Sequence, residues 1–116
     1  MAINRKPAPT YWARIYIAGS LGHIKQVCRE YCEVGACVNV HSADYIYTRG
    51  EQSGAVIEFI NYPRFPATED EIDAKAEALA LRIAEGCYQQ TYTIMTPSHT
   101  VYFDRGSPHV DRGTEI

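Results

Sequence analysis

The stretch Ala55-Val-Ile-Glu-Phe-Ile-Asn-Tyr-Pro-Arg-Phe-Pro-Ala-Thr-Glu-Asp-Glu71 contains the change of hydrophobic period on which the fold turns. Ala55 to Tyr62 is apolar and β-branched and reads as a strand. Asn61 to Pro66 cannot be regular structure, because Pro63 and Pro66 push Tyr62 and Phe65 toward extended conformations. Thr68 and Glu71 then form a capping box, in which hydroxyl and carboxylate satisfy the first amides of a helix reciprocally. That helix is predicted to run to about Tyr88. Ile72, Ala76, Leu79, Ala80, Ile83 and Cys87 recur at helical spacing and form its buried stripe.

Upstream, Tyr11 to Ala18 alternates Ala13, Ile15 and Ile17 against Trp12, Arg14 and Tyr16, a strand with one apolar face. Gly19 breaks it and Ser20 can cap a helix from Leu21 to Val34, whose apolar face is Ile24, Val27, Cys28, Tyr31 and Val34. Gly35 suits the left-handed residue that ends such a helix. Ala36 to Thr48 is one long bent strand or two short ones. Arg49 to Gly54 is a turn, which makes a hairpin with the strand that follows. Downstream, Gln90 to Thr96 and Thr100 to Asp104 are strands separated by a turn at Pro97-Ser-His99. The order is a β-α-β-β-α-β core plus a closing strand. It predicts an α+β fold, a mainly antiparallel sheet with two helices on one face, similar to the ferredoxin-like arrangement. Residues 1–10 read as a flexible arm, 11–105 as a single ligand-binding domain and 106–116 as a flexible tail.

The chain has 116 residues, enough for one domain. Its net charge of −3 disfavours a protein that wraps duplex nucleic acid. No apolar run approaches the length of a membrane span, and the start is not a signal peptide. Cys28, Cys32, Cys37 and Cys87 read as reduced thiols in a cytoplasm, without the close pair of common zinc sites. No nucleophile elbow, phosphate loop or paired His-x-Ser/Thr unit is present. The expectation is therefore a protein that is not an enzyme and takes no cofactor or metal. The face opposite the helices would carry Arg14 and Tyr16 with some of Asn39, His41, Tyr45 and Tyr47. It is too aromatic for a plain solvent face, and a homo-oligomer is expected to cover it.

Arginine outnumbers lysine eight to three, and several arginines stand beside aromatic rings. Candidate ligand-binding residues are Arg29 on the first helix, Tyr45 and Tyr47 on the long strand, Asn61, Tyr62, Arg64 and Phe65 in the proline-bounded connector, and Arg105 at the end of the last strand. Guanidinium forks suit phosphates and flat rings suit a base, so the set fits a nucleotide-like ligand. The same residues also read structurally. The connector can be a rigid link with Phe65 closing the core, Arg29 can pair with Glu30 or Glu33, and the two tyrosines can be strand packing.

The runs Arg14-Ile-Tyr-Ile-Ala-Gly19, Val27-Cys-Arg-Glu-Tyr-Cys32, Tyr45-Ile-Tyr-Thr48, Ile60-Asn-Tyr-Pro-Arg-Phe-Pro66 and Ile94-Met-Thr-Pro97 resemble the first-described Thoeris anti-defence family of phage proteins. The resemblance implies a sponge that sequesters cyclic ADP-ribose isomers, with cyclic trinucleotides as a further ligand class. The signal is held intact in the cytoplasm of the infected bacterial host, by a dimer or hexamer. Arg29 fits the family's helix arginine, and Arg105 its late arginine, with Arg112 competing. The alternatives are an oligomeric regulatory domain of the amino-acid-binding type and an enzyme that degrades the signal.

Overall fold

In the computed structural model, residues 2–106 and 116 are described; Arg112 and most of the tail expected after Arg105 lie outside them. The element order is β1 (Trp12–Ala18), α1 (Leu21–Cys32), β2 (Asn39–Tyr47), β3 (Gly50–Ile60), α2 (Glu69–Gly86), β4 (Thr91–Met95) and β5 (Thr100–Asp104). The five strands form one antiparallel sheet in the order β2-β3-β1-β4-β5. The first four have the ferredoxin-like order, and β5 closes the edge beside β4.

Alternation sets the two faces. Ala13, Ile15 and Ile17 of β1 and Ala55, Ile57 and Phe59 of β3 are buried beneath the helices. They meet Ile24, Val27 and Cys28 of α1 and Ile72, Ala76, Leu79, Ala80 and Ile83 of α2 in one core. Both helices start where the sequence says. Ser20 accepts from the His23 amide, and Thr68 accepts from Glu71 N at 3.1 Å while bonding the Glu71 carboxylate at 3.2 Å. The first helix stops at Cys32 rather than Val34; Val34 is exposed, and Gly35 takes the positive φ of 99° that turns the chain toward β2.

The expected turn over Arg49–Gly54 is shorter in the structure. Tyr47 pairs with Gly50, so the loop is Thr48-Arg49 alone, with Arg49 at φ 66°. Gly50 to Gly54 therefore belongs to β3. Gly54 is tolerated there because β1 passes so close that a Cβ would run into the Ile17 carbonyl and the Ala18 Cα. Composition alone marks these two glycines as turn residues; the pairing of Gly50 with Tyr47 and of Gly54 with Ala18 puts both in a strand.

Candidate functional site

The open face of the sheet is built from the residues that alternate with the core. Three rows cross it. Trp12 lies opposite Ile60. Arg14 lies between Glu58 and Met95, with Asn39 beyond Glu58. Tyr16 lies between Val56 and Thr93, with His41 and Tyr102 further out. Arg14 Nε donates to Glu58 Oε2 at 2.7 Å, and the Arg14 guanidinium carbon stands 4.1 Å from the centre of the Trp12 ring. The bond to Glu58 raises the guanidinium's pKa further. At the β2 side, Asn39 Nδ2 donates to the Tyr62 hydroxyl at 2.9 Å. A hydrogen bond with Cys37, together with partial burial, raises the pKa of the Tyr62 phenol. Trp12, Arg14, Glu58, Asn39 and Tyr62 thus form a continuous polar and aromatic strip.

The Glu58 side chain is only 22% exposed, so its charge is partly withdrawn from water. Its Oε2 is taken up by Arg14, so carboxylate and guanidinium form a neutral pair, with the Trp12 ring beyond Arg14 and the Tyr62 ring beyond Asn39. Among the described residues, no three His, Cys, Asp or Glu side chains are grouped so as to hold an ion.

The eight candidates from sequence are dispersed. The Arg29 side chain touches Gln26 at 3.4 Å and lines a shallow groove between α1 and β2 with Lys25, Cys28 and Val40. Tyr45 is spliced into the sheet: the Ile17 amide donates to its oxygen at 3.1 Å, and its hydroxyl donates to the Ala55 carbonyl. Tyr47 lays its ring over Gly50. Asn61 is buried and clamps two segments, donating to the Pro9 carbonyl at 2.7 Å and accepting from Ala67 N at 2.8 Å. Arg105 donates to the Ala84 and Gln89 carbonyls at 3.0 and 2.7 Å and so ties β5 to the end of α2. Tyr62 and Phe65 come together, with Cys37, Ile60, Ile72 and Lys75, around an apolar cavity of about 270 Å³. Arg64 stands 5.5 Å from the Phe65 ring at that end. Of the eight, then, the connector residues meet one another, while Arg29 and Arg105 sit elsewhere.

The sequence reading passed over Glu58 and did not connect it with Trp12. A signal was present. Glu58 is the one charged residue in the apolar run Ala55–Ile60, and in a central strand a charge needs a partner on its own face. Arg14 in β1 is that partner.

No family model matches the chain, and no curated protein matches it. Two solved structures do share its fold. A phage SAM lyase in the apo state aligns with 96% of this chain and 100% of its own, at a TM-score of 0.70 and 13% identity. A phage SAM lyase in complex with S-methyl-5'-thioadenosine aligns with 90% of this chain and 96% of its own, at a TM-score of 0.58 and 13% identity. The chain thus shares the fold of phage SAM lyase, and no comparison links it to a sponge. This corrects the expectation of a non-enzymatic sponge for cyclic ADP-ribose isomers or cyclic trinucleotides, and the regulatory amino-acid-binding reading is set aside with it. No helix among the described residues is long and apolar enough to cross a membrane.

Proposed function

We propose that the chain is an S-adenosylmethionine-cleaving enzyme that works on the open face of its sheet, in the cytoplasm of an infected bacterium. The observation that carries this reading is the end-to-end likeness to phage SAM lyase, which leaves neither chain with an unmatched domain. The strip on the open face supports it. S-adenosylmethionine is a sulfonium cation carrying an adenine and an α-amino acid. Glu58, through the carboxylate oxygen not bonded to Arg14 Nε, supplies an acceptor for the ammonium group, Trp12 and Tyr16 supply flat faces for the base, and Asn39 supplies an amide for its edge. Arg14 is the positioning residue that holds Glu58 and Trp12 in one geometry.

The reaction breaks the bond between sulfur and the γ-carbon. Its electron pair goes to sulfur, which leaves as the neutral thioether of methylthioadenosine. The substrate's own carboxylate oxygen closes on the γ-carbon and gives homoserine lactone, so no water, oxidant or external base is consumed. Removing a β-proton instead would need a base, and Glu58 is already engaged by Arg14. The enzyme's work is to fold the substrate for ring closure and to exclude water while charge is lost. One small open face does not exclude water alone. A second copy of the chain covering it, in a homo-oligomer, completes the site.

The test is incubation with S-adenosylmethionine and chromatography with mass detection of methylthioadenosine and homoserine lactone. Release of both, lost at least about a hundredfold in Glu58→Gln, supports the reading. Intact S-adenosylmethionine after prolonged incubation with folded protein overturns it.

A further inference from the structure

We propose that the apolar cavity at the Gly35–Lys75 end receives Ile3 from a second copy of the chain, so that residues 2–9 act as an exchanged arm. This rests on the self-association proposed above and not on the cleavage of S-adenosylmethionine. Residues 2–10 belong to no helix or strand, and Ile3 is 85% exposed. A large aliphatic side chain gains nothing from that position in a single copy. The arm is nevertheless rooted firmly. Asn61, buried, grips the Pro9 carbonyl with one end of its amide and Ala67 N with the other, and Asn61 N donates to the Tyr11 carbonyl at 2.9 Å. Pro7 and Pro9 favour the extended polyproline conformation, in which the six steps from Pro9 to Ile3 span about 19 Å.

The arm's own cavity begins beside its root, since Tyr62 follows Asn61 and lines the wall. Extended from that root, the segment carries Ile3 about 19 Å from Pro9, far enough to reach the equivalent cavity of a neighbour. The cavity has room for about nine waters' worth of volume. That accommodates a four-carbon side chain and its backbone against Ile60, Phe65 and Ile72. Charge matches as well. Arg5 and Lys6 follow Ile3, and the exposed first turn of α2, Glu69-Asp70-Glu71, stands next to the Ile72 wall. Lys75 also lines the cavity and opposes the arm's cations, so the acidic turn and not the floor is where Arg5 and Lys6 sit.

Cys37 lines the cavity and provides the probe. The full-length Ile3→Cys protein is oxidised mildly and run without reductant, with Ile3→Cys/Cys37→Ser as control. A mixture of isotopically labelled and unlabelled chains identifies which chains are joined. The expected result is an interchain disulfide between position 3 and Cys37, absent in the control. In a second measurement, deletion of residues 2–9 weakens self-association by about tenfold or more in analytical ultracentrifugation, with the circular dichroism spectrum kept. A link only within one chain, or no link to Cys37 together with unchanged association of the deletion, overturns the arm while leaving the oligomer standing. A full-length protein that stays monomeric at all concentrations overturns both.

Discussion

Replacing Tyr45 by Phe removes one oxygen and should be among the costliest single-atom changes in this protein. The ladder between β1 and β3 places its close hydrogen-bonded pairs at odd positions: Asn61 N donates to Tyr11 O, and Gly19 N to Ser53 O, both at 2.9 Å. Ile17 and Ala55 continue that series, but their amide and carbonyl are joined through the Tyr45 hydroxyl. Both residues are fully buried, so neither group can turn to water. Each orphaned group costs about 1–3 kcal/mol, and partial closure of the ladder recovers some of it, which leaves about 2–4 kcal/mol. With a urea slope of about 1.5 kcal/mol/M, the midpoint moves down by about 2 M. Tyr47→Phe is the internal control, since no hydrogen bond holds its hydroxyl among the described residues, and it should stay within about 0.5 kcal/mol.

Alkaline pH tests the same oxygen independently. Burial pushes the Tyr45 phenol up to about 12, against about 10 in an unfolded chain. The folded state therefore holds the proton more tightly. Its stabilising contribution is complete below pH 10 and is lost as pH rises from 10 to 12. Tyr45→Phe should lack that component of the alkaline loss. Hydrogen exchange at the Ile17 amide supplies the residue-level readout. A stability change under about 0.5 kcal/mol, with Ile17 protection unaltered, would refute the view that the phenol completes the ladder.

Other residues assigned structural work give smaller, separable effects. Asn61→Ala loses the bonds to Pro9 and Ala67 and should cost about 1–3 kcal/mol in thermal or urea unfolding, with increased proteolysis of the arm at residues 5–9. Arg105→Ala releases the Ala84 and Gln89 carbonyls and should cost about 1–3 kcal/mol, whereas Arg29→Ala, on an exposed helix face, should change stability by less than about 0.5 kcal/mol. Thiol labelling at pH 8 of the dilute, monomeric chain should rank Cys37 first and Cys28 last, because Cys37 is exposed while Cys28 is buried with its pKa pushed up to about 11; equal rates for the two would contradict this packing.

Much of the fold was legible because it rests on local signals that agree with one another. The alternation in Tyr11–Ala18, the capping box at Thr68–Glu71 and the stripe from Ile72 to Ile83 each specify an element and a buried face. What escaped was whatever depends on two distant segments passing close together. Gly54 reads as a turn residue until β1 is known to pair closely beside it. Asn61 and Arg105 read as ligand-binding polar groups, yet the bonds they make go to backbone atoms of remote segments. Tyr45 reads as an aromatic platform, yet its oxygen is used up in a ladder 28 residues away from its own position.

The same limit applies to the sponge expectation, in a chain whose fold is shared with phage SAM lyase. Arginines and rings can be counted along a chain, but a grip on phosphate requires several guanidinium groups to converge. Here Arg105 is turned onto carbonyls, Arg29 stands on the far helix and Arg14 is committed to a carboxylate. No two of these three share a contact partner. What does come together is a neutral ion pair: Glu58, partly buried and bonded to Arg14, with Trp12 beyond Arg14 on one side and Tyr62 beyond Asn39 on the other. On the proposed reading Glu58 contacts the positive charge of the ligand, so replacing it should cost the cation more than the neutral product. Glu58→Lys should weaken S-adenosylmethionine binding by at least about tenfold, since a charge-assisted contact becomes a like-charge repulsion, while leaving the neutral product methylthioadenosine bound within a few-fold. Equal losses for the cation and the neutral thioether, measured by calorimetry on protein of wild-type circular dichroism, would mean that the carboxylate shapes the face and does not read charge.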